Sequence, residues 1–388
     1  MIFLLSEGRE GMVVVWFRGK HNSAMKKFYL RVAVVLAALL AVPTARAQEW
    51  SRGTNLSLSY TTVGLYDMTL NRANWVNVLD ASLWQSLWKG GAFEAALLSV
   101  NNLRNSHGKG STINGLTIFS SIEDESIPLS LFKFGISQNT NRIRSFIGVR
   151  NVNNDYFITP WNSIYTASVN GLFPTLSHNL PLSDSPYSAM CIHFEWDITR
   201  TGLTYKSSLY NGRAATSWDE VFRFRPRRDG VVCLSEFSYT GRPNSYVGDY
   251  RLGIATGREE PDNPASKTYR VSLWTLVEQP LWVKADGTGV ALILHGGYSP
   301  KCDCTGYWGV GAAWRGVAAG ADDYLGALVN RTWHANACET DVELTYAYSW
   351  RFLTIQPAIH WVHSSGSDRW FGVLKAAVKF DYDSRNIN

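Results

Sequence analysis

Two internal stretches concentrate the side chains that could recognise a solute. Asp155, Tyr156, Trp161, Asn162 and Tyr165 fall within 153–188, and Trp218, Asp219, Glu220, Arg223, Arg225 and Arg227 within 211–230. Carboxylate, amide and guanidinium groups are planar hydrogen-bonding partners for hydroxyls, and flat rings cover apolar C–H faces while excluding water. Together they suit non-covalent recognition of a hydroxylated ring. Groupings for bond-making chemistry are weaker. Ser, His and Asp are present, but no nucleophile elbow or metal-ligand spacing stands out. His193, Glu195 and His360 could be drawn as a site, and His295 with His334 as ligands; single histidines on strands are more often wall or interface residues. Cys302-Asp303-Cys304 without a nearby His is a poor metal motif. No catalytic residue, metal or cofactor is assigned.

The elements that must carry these residues read as strands. In Thr340–Trp350, Val342, Leu344, Tyr346, Tyr348 and Trp350 fall on one phase, and Asp341, Glu343, Thr345, Ala347 and Ser349 on the other. A period of two marks a strand with one apolar and one polar face. Leu353, Ile355, Pro357, Ile359 and Trp361 repeat the pattern, as do Leu374, Ala376, Val378, Phe380 and Tyr382. Each apolar row ends in aromatics, the signature of a transmembrane β-barrel with lipid outside, water inside and aromatic girdles at the interfaces.

The chain begins with a region set apart from the fold. Met25-Lys26-Lys27 is a basic start, Val32–Val42 an apolar core and Ala45-Arg46-Ala47 a cleavage site, so 25–47 reads as an export signal. Residues 1–24 read as an over-extended start, leaving 48–388 as the barrel. No later segment offers about 20 uninterrupted apolar residues, which argues against a helical-bundle membrane protein. The formal charge of +5 is partly contributed by the signal and upstream residues, and the Arg clusters at 142–150 and 223–228 are too sparse to track a nucleic-acid backbone.

Alternation nominates sixteen strands: 53–60, 74–88, 91–101, 129–138, 144–152, 189–199, 202–210, 230–240, 245–256, 267–278, 289–300, 306–317, 322–333, 338–350, 352–364 and 370–382. An even number suits a closed antiparallel barrel with both termini on one side. Counting back from a last strand that ends in the periplasm gives mostly short periplasmic turns: 88–91, 138–144, 199–202, 240–246, 279–289, 317–322 and 350–352. The external connections 102–129, 153–188, 211–230 and 257–267 are long and polar. A soluble β-sandwich has no reason to keep that parity. The same count sets 300–306 and 331–338 on external loops two strands apart, so a disulfide from Cys302 or Cys304 to Cys338 is expected. With five cysteines, at least one thiol stays unpaired.

Phase then nominates the lumen: His193, Glu195 and Asp197; Lys206; Asp249 and Arg251; Arg270, Trp274 and Glu278; Asp341 and Glu343; Gln356 and His360; Lys375 and Lys379. An Arg or Lys facing lipid would cost roughly 2–4 kcal/mol near the midplane. One or both of the long loops are expected to fold inward toward a constriction facing Glu195, Arg251 and Arg270. Candidate solute contacts are therefore Trp161, Tyr165, His193, Glu195, Trp218, Glu220, Arg223, Arg225, Arg251 and Arg270.

The chain resembles the carbohydrate-selective porins of the OprB family. The resemblance is carried by Tyr307–Gly316 (YWGVGAAWRG), followed by Asp322–Gly326 (DDYLG). It continues in Glu339–Tyr346 (ETDVELTY), leading into Leu353–His360 (LTIQPAIH), with a looser block from Asp155-Tyr156-Phe157 to Asn170–Phe173. It covers most of 48–388 in arrangement and is specific in the last third. Ala321 stands where the family pattern carries Arg, and the chain runs past Tyr382. The resemblance implies a sixteen-stranded outer-membrane barrel passing sugars by diffusion, with loops folded in to narrow the pore. Its partners would be carbohydrate solutes and outer-membrane lipid, as a monomer or homotrimer. A general diffusion porin and a secreted glycan-binding β protein are the alternatives.

Overall fold

Residues 53–102, 129–199, 201–243, 246–258, 268–318 and 322–384 are described in a computed structural model. The export signal, the upstream stretch, Ala321 and most of the external connections 102–129 and 257–267 lie outside the described residues.

Sixteen strands follow in order: β1 Thr54–Asp67, β2 Arg72–Trp88, β3 Gly91–Asn102, β4 Leu129–Asn139, β5 Ile143–Arg150, β6 Ala189–Asp197, β7 Leu203–Asn211 and β8 Val231–Gly241. The second half comprises β9 Gly248–Arg258, β10 Tyr269–Val283, β11 Gly289–Tyr298, β12 Cys304–Arg315, β13 Asp323–His334, β14 Ala337–Trp350, β15 Leu353–Ser364 and β16 Ser367–Asp383. Each pairs antiparallel with its sequence neighbours, and β1 closes on β16 from Asn55↔Asp383 to Asp67↔Phe371. Closure removes the free edges that could not be satisfied in hydrocarbon. The structure is thus a transmembrane antiparallel barrel with short periplasmic turns and long external loops.

Alternation fixes which side chain meets which environment. On β9, Leu252 and Ile254 are 62% and 46% exposed on the outer wall, while Arg251 and Ala255 face inward. On β14, Leu344 and Tyr348 face out, while Asp341, Glu343 and Thr345 are buried inside. At the outer rim, Ser365-Gly366 makes the β15–β16 hairpin with positive φ at both residues, 51° and 79°. That turn matches the right-handed twist of the paired strands.

β1 and β10 outrun their expected ends furthest. β1 continues beyond residue 60 to Asp67, because Val63 and Leu65 are apolar on the inward phase and reverse the polarity that marks its first half. β10 passes through Pro280 to Val283, with a register shift between Pro280 and Trp282. The bulge accommodates a residue with no N–H to give the ladder, and the turn shortens to 284–288.

The lumen is only partly watery. Leu234, Leu276, Ile293, Leu328 and Phe371 are buried on inward phases. The connection 151–188 folds into the barrel and packs Phe157, Trp161, Ile164, Phe173 and Leu176 against this wall. Each such side chain contributes about 1.5–3 kcal/mol when fully buried.

The connection 212–230 goes the other way. Its Ala215 and Val221 cap Leu131 and Val149, with Leu97 and Met190 beside them. Those four wall residues pair as Leu97↔Leu131 and Val149↔Met190, on the phase opposite Glu94, Arg150 and His193. This segment therefore lies over the outer wall of β3–β6.

The expected disulfide does not form. All five cysteines are free thiols. Cys304 pairs with His334 across β12–β13, and Cys338 with Trp333 across β13–β14, so β13 stands between them. Two strand spacings of about 4.8 Å exceed the Cα separation of about 7 Å that a disulfide tolerates. Cys302 donates to the Pro300 carbonyl, and Arg331 donates to the Cys338 sulfur at 3.1 Å.

Candidate functional site

The inner segment is held by two carboxylates on separate strands of the wall, β10 and β14. On β10, Glu278 accepts the backbone N–H groups of Trp161 at 3.0 Å and Asn162 at 2.6 Å, and the Thr159 hydroxyl. It thereby supports the start of a short helical turn, Asn162–Ile164. On β14, Glu343 accepts the Thr166 N–H at 2.7 Å and its hydroxyl at 2.9 Å, and the Ala167 N–H at 3.4 Å. His360 on β15 joins this group, with Nε2 2.9 Å from the Thr166 hydroxyl and Nδ1 3.2 Å from Asp341. Gln356 donates to the Ile164 carbonyl. The lumen phase of these residues follows the sequence expectation; their partner is the chain's own loop.

Small wall residues admit the loop. A Cβ on Gly326 would sit 2.7 Å from Ile164 Cδ1, and one on Gly311 would sit 2.8 Å from the Tyr165 hydroxyl. Into that space Tyr165 donates to the carbonyls of Ala312 and Ala327, and burial pushes its hydroxyl pKa up. Trp161 packs on Ile293 and Ala313, with the Arg315 guanidinium 4.3 Å from its ring centre. Trp161 and Tyr165 are each 8% exposed. The two aromatics nominated for solute contact are wall anchors in this structure.

A second cluster lies where the segment enters the lumen. Asp155 pairs with Arg150, and its carbonyl accepts from Lys206 at 2.9 Å. His193 lies between the Ser208 hydroxyl at 2.7 Å and Glu195 at 3.1 Å. Arg144 reaches Glu195 at 2.8 Å and Asp197 at 3.6 Å. Tyr156 bonds Ser208 and meets Trp274 edge-on at 6.0 Å. The donor atoms of Asp155, His193 and Glu195 lie within 4.8 Å of one another, close enough to hold a cation. Arg150 and Arg144 already occupy the carboxylates, so the chain supplies its own counter-charges there. His360 stands on β15, across the barrel from β6, so His193, Glu195 and His360 do not converge. His295 and His334 also part: His295 lies against Phe173 and Tyr307, His334 against His178.

The other nominated residues scatter. Arg251 is held by Asp249 at 2.8 Å on the same strand. Arg270 sits near the external end of β10, 3.8 Å from Asp303. Trp218, Glu220, Arg223 and Arg225 belong to the segment on the outer wall, away from the lumen. Trp218 donates to the Leu129 carbonyl at 2.7 Å. The Thr216 hydroxyl and N–H, with Arg223, hold the Glu220 carboxyl below its usual range.

What the sequence did not single out is a cup formed by the inner segment itself. Its volume is about 400 Å³, and its lining includes Asn153, Phe157, Asn162, Ser168, Asn170 and Tyr187. Amides and hydroxyls alternate with rings and with the aliphatic Ile158, Val169 and Leu172, and Asp184 and His178 are the carboxylate and imidazole of the lining. Its size falls in the range of small-molecule sites. A larger space of about 1260 Å³ opens at the periplasmic mouth, bounded by Lys89, Gln138, Arg142, Asp197 and Thr204. The signal for the cup was the run of Asn, Ser and Thr between buried aromatics in 153–188, which reads equally well as an ordinary polar loop.

The fold and the inward segment define a sixteen-stranded barrel of the porin type. Among solved structures, the chain is similar to Pseudomonas putida OprB in its high-pH form, with TM-score 0.70, 14% identity, and 85% of this chain and 94% of that chain covered. It is also similar to an anion-selective porin from Comamonas acidovorans, with TM-score 0.54, 9% identity, and 85% and 99% covered. A Rh. blastica porin mutant matches at TM-score 0.54 and 10% identity, with 84% and 100% covered. No family model and no curated protein matches the chain. At these identities the likeness establishes the fold, and the barrel expected from the resemblance to OprB porins is present.

Proposed function

We propose that this protein is an outer-membrane porin through which small carbohydrates diffuse passively, exported by the signal at 25–47. The observation that carries the reading is the cup in the inward-folded segment, where amides and hydroxyls alternate with apolar side chains. Such a lining can exchange hydrogen bonds with sugar hydroxyls while the Tyr187 ring, which is only half-buried, offers apolar surface to C–H faces. The charged wall supports the same reading. Lys133–Glu94, Arg144–Glu195 and Lys206–Glu236 are paired at 2.8–3.4 Å, so much of the lumen charge is internally neutralised. A neutral solute meets little net field there. No reaction or energy coupling is assigned, and binding should be weak, because a pore must release what it takes up. Monomer and homotrimer both remain compatible with this reading.

Single-channel recording of the refolded protein with a saccharide panel tests it. Reversible, concentration-dependent block by a mono- or oligosaccharide is expected. Conductance indifferent to every sugar would instead identify a general diffusion pore.

A further inference from the structure

The outward-folded segment carries an alternating sequence, Phe222-Arg223-Phe224-Arg225, followed by Pro226-Arg227-Arg228. Val221 is buried against the outer wall, yet Phe222 and Phe224, beside it, are 57% and 44% exposed. Phe222 meets Phe134 edge-on at 5.5 Å, and Phe134 meets Phe93 at 5.2 Å, so the loop ring continues the lipid-facing aromatic row of β3 and β4. Trp218 and Ala215 fasten the segment to the rim through the Leu129 and Ser188 carbonyls. Arg223 is taken by Glu220. Arg225, Arg227 and Arg228 are exposed, and among the described residues no ion pair engages them.

We propose that this segment is a lipid clamp: Phe222 and Phe224 enter the hydrocarbon boundary of the outer leaflet, and Arg225, Arg227 and Arg228 bind phosphorylated lipid headgroups above it. Aromatic rings favour that boundary. Arginine presents a fork that matches phosphate geometry. The alternative occupant, a second copy of this chain, fits less well. It would bury three arginines, and Asp219 is the exposed acid that the segment itself offers in return. The clamp would hold one side of the barrel at fixed depth, independently of what passes through the lumen.

The test incorporates the protein into phosphatidylcholine nanodiscs containing diphosphoryl lipid A, and measures by native mass spectrometry which lipid stays bound on extraction. Preferential retention of the anionic diphosphoryl lipid A over zwitterionic phosphatidylcholine is expected. It should fall on the order of a hundredfold in the combined Arg225→Gln, Arg227→Gln and Arg228→Gln variant, from the usual weight of a basic side chain at an anionic surface. Phe222→Ser with Phe224→Ser should weaken retention of both lipids without changing their ratio. Heat-modifiable mobility and unchanged conductance certify that the variants fold. Equal retention by the triple Arg variant overturns the proposal. So does a photo-crosslinker at position 222 that captures a second copy of the chain rather than lipid.

Discussion

The Glu343 carboxylate accepts the backbone N–H of Thr166 at 2.7 Å, joining the barrel wall to the inner segment between residues 177 positions apart. The same group takes the Thr166 hydroxyl, and His360 closes the arrangement from the next strand. A buried acceptor with several donors cannot be deleted without leaving those donors unmatched, at about 1–3 kcal/mol for each group left bare. Glu343→Ala should therefore release the middle of the inner segment. The expected outcome is larger, noisier conductance and new protease cleavage within 159–172, with the barrel intact by heat-modifiable mobility. Glu343→Gln, which keeps an acceptor, should show a smaller effect. Unchanged conductance and cleavage in Glu343→Ala would show that the hydrophobic packing alone seats the loop.

Gly326 tests the same docking from the wall side. An added Cβ would approach Ile164 Cδ1 at 2.7 Å and Tyr165 Cε1 at 3.0 Å. Overpacking of this kind typically costs about 1–3 kcal/mol. Gly326→Val should displace Ile164 and Tyr165 and lower the midpoint of loop protection against protease. The same change at the exposed turn residue Gly366 is not a control, because φ is +79° there. Ala327→Val on the outward phase of the same strand is the better comparison, and should leave loop protection unaltered.

The thiol pattern is directly checkable. With Cys304 and Cys338 on strands flanking β13, alkylation of the denatured, unreduced protein should modify all five cysteines. A peptide map linking 302 or 304 to 338 would contradict the register of β12, β13 and β14.

The strands were readable from sequence because two solvents act on alternate residues. Leu344 and Glu343 are neighbours in sequence and sit in hydrocarbon and in a buried polar lumen, respectively. Strand count, closure and turn parity all follow from that pattern. The direction of each long loop does not. Trp161, Ile164 and Tyr165 go in, whereas Val221 and Phe222 go out, and the residue types are alike. The discriminating signal lies on the strands: Leu276, Ile293 and Leu328 are apolar on the inward phase, and Gly311 and Gly326 leave room above them. Apolar residues there predict something to cover them. Likewise, Glu278 and Glu343 were placed correctly on the lumen side, but periodicity cannot tell a carboxylate that meets solute from one that holds backbone N–H groups.

Acid should loosen the inner segment through His178. Its ring lies 5.0 Å from that of His334, and burial, with a smaller push from His334, lowers its pKa below the ordinary 6.5, while Asp303 opposes. A lowered imidazole pKa means that the released loop binds a proton more readily than the docked one. Docking is therefore at full strength above pH 6.5, and weakens as pH falls below 6.5 toward the lower docked value. Protease cleavage near 174–188 should rise over that window, and His178→Gln should flatten the response. A profile unchanged by His178→Gln would assign the sensitivity to another group.

Arg144 sets the balance of charge near the periplasmic mouth. Its side chain is 52% exposed and spans Glu195 at 2.8 Å and Asp197 at 3.6 Å. At this exposure the pair itself contributes little to stability, about 0–1 kcal/mol. Its effect is on the field that a solute meets, since neutralising this cation removes the ion pair of Asp197 and one of the counter-charges of Glu195, leaving Lys206 beside Glu195. Arg144→Gln should shift the zero-current potential in a salt gradient toward cation preference, with little change in thermal stability. Because a field acts on charge and a neutral sugar has none, saccharide block should be nearly unaltered in the same variant. If Arg144→Gln abolished sugar block while leaving ion selectivity untouched, the cup in the inner segment would lose its place as the recognition site, and the Arg144–Glu195 pair would take it.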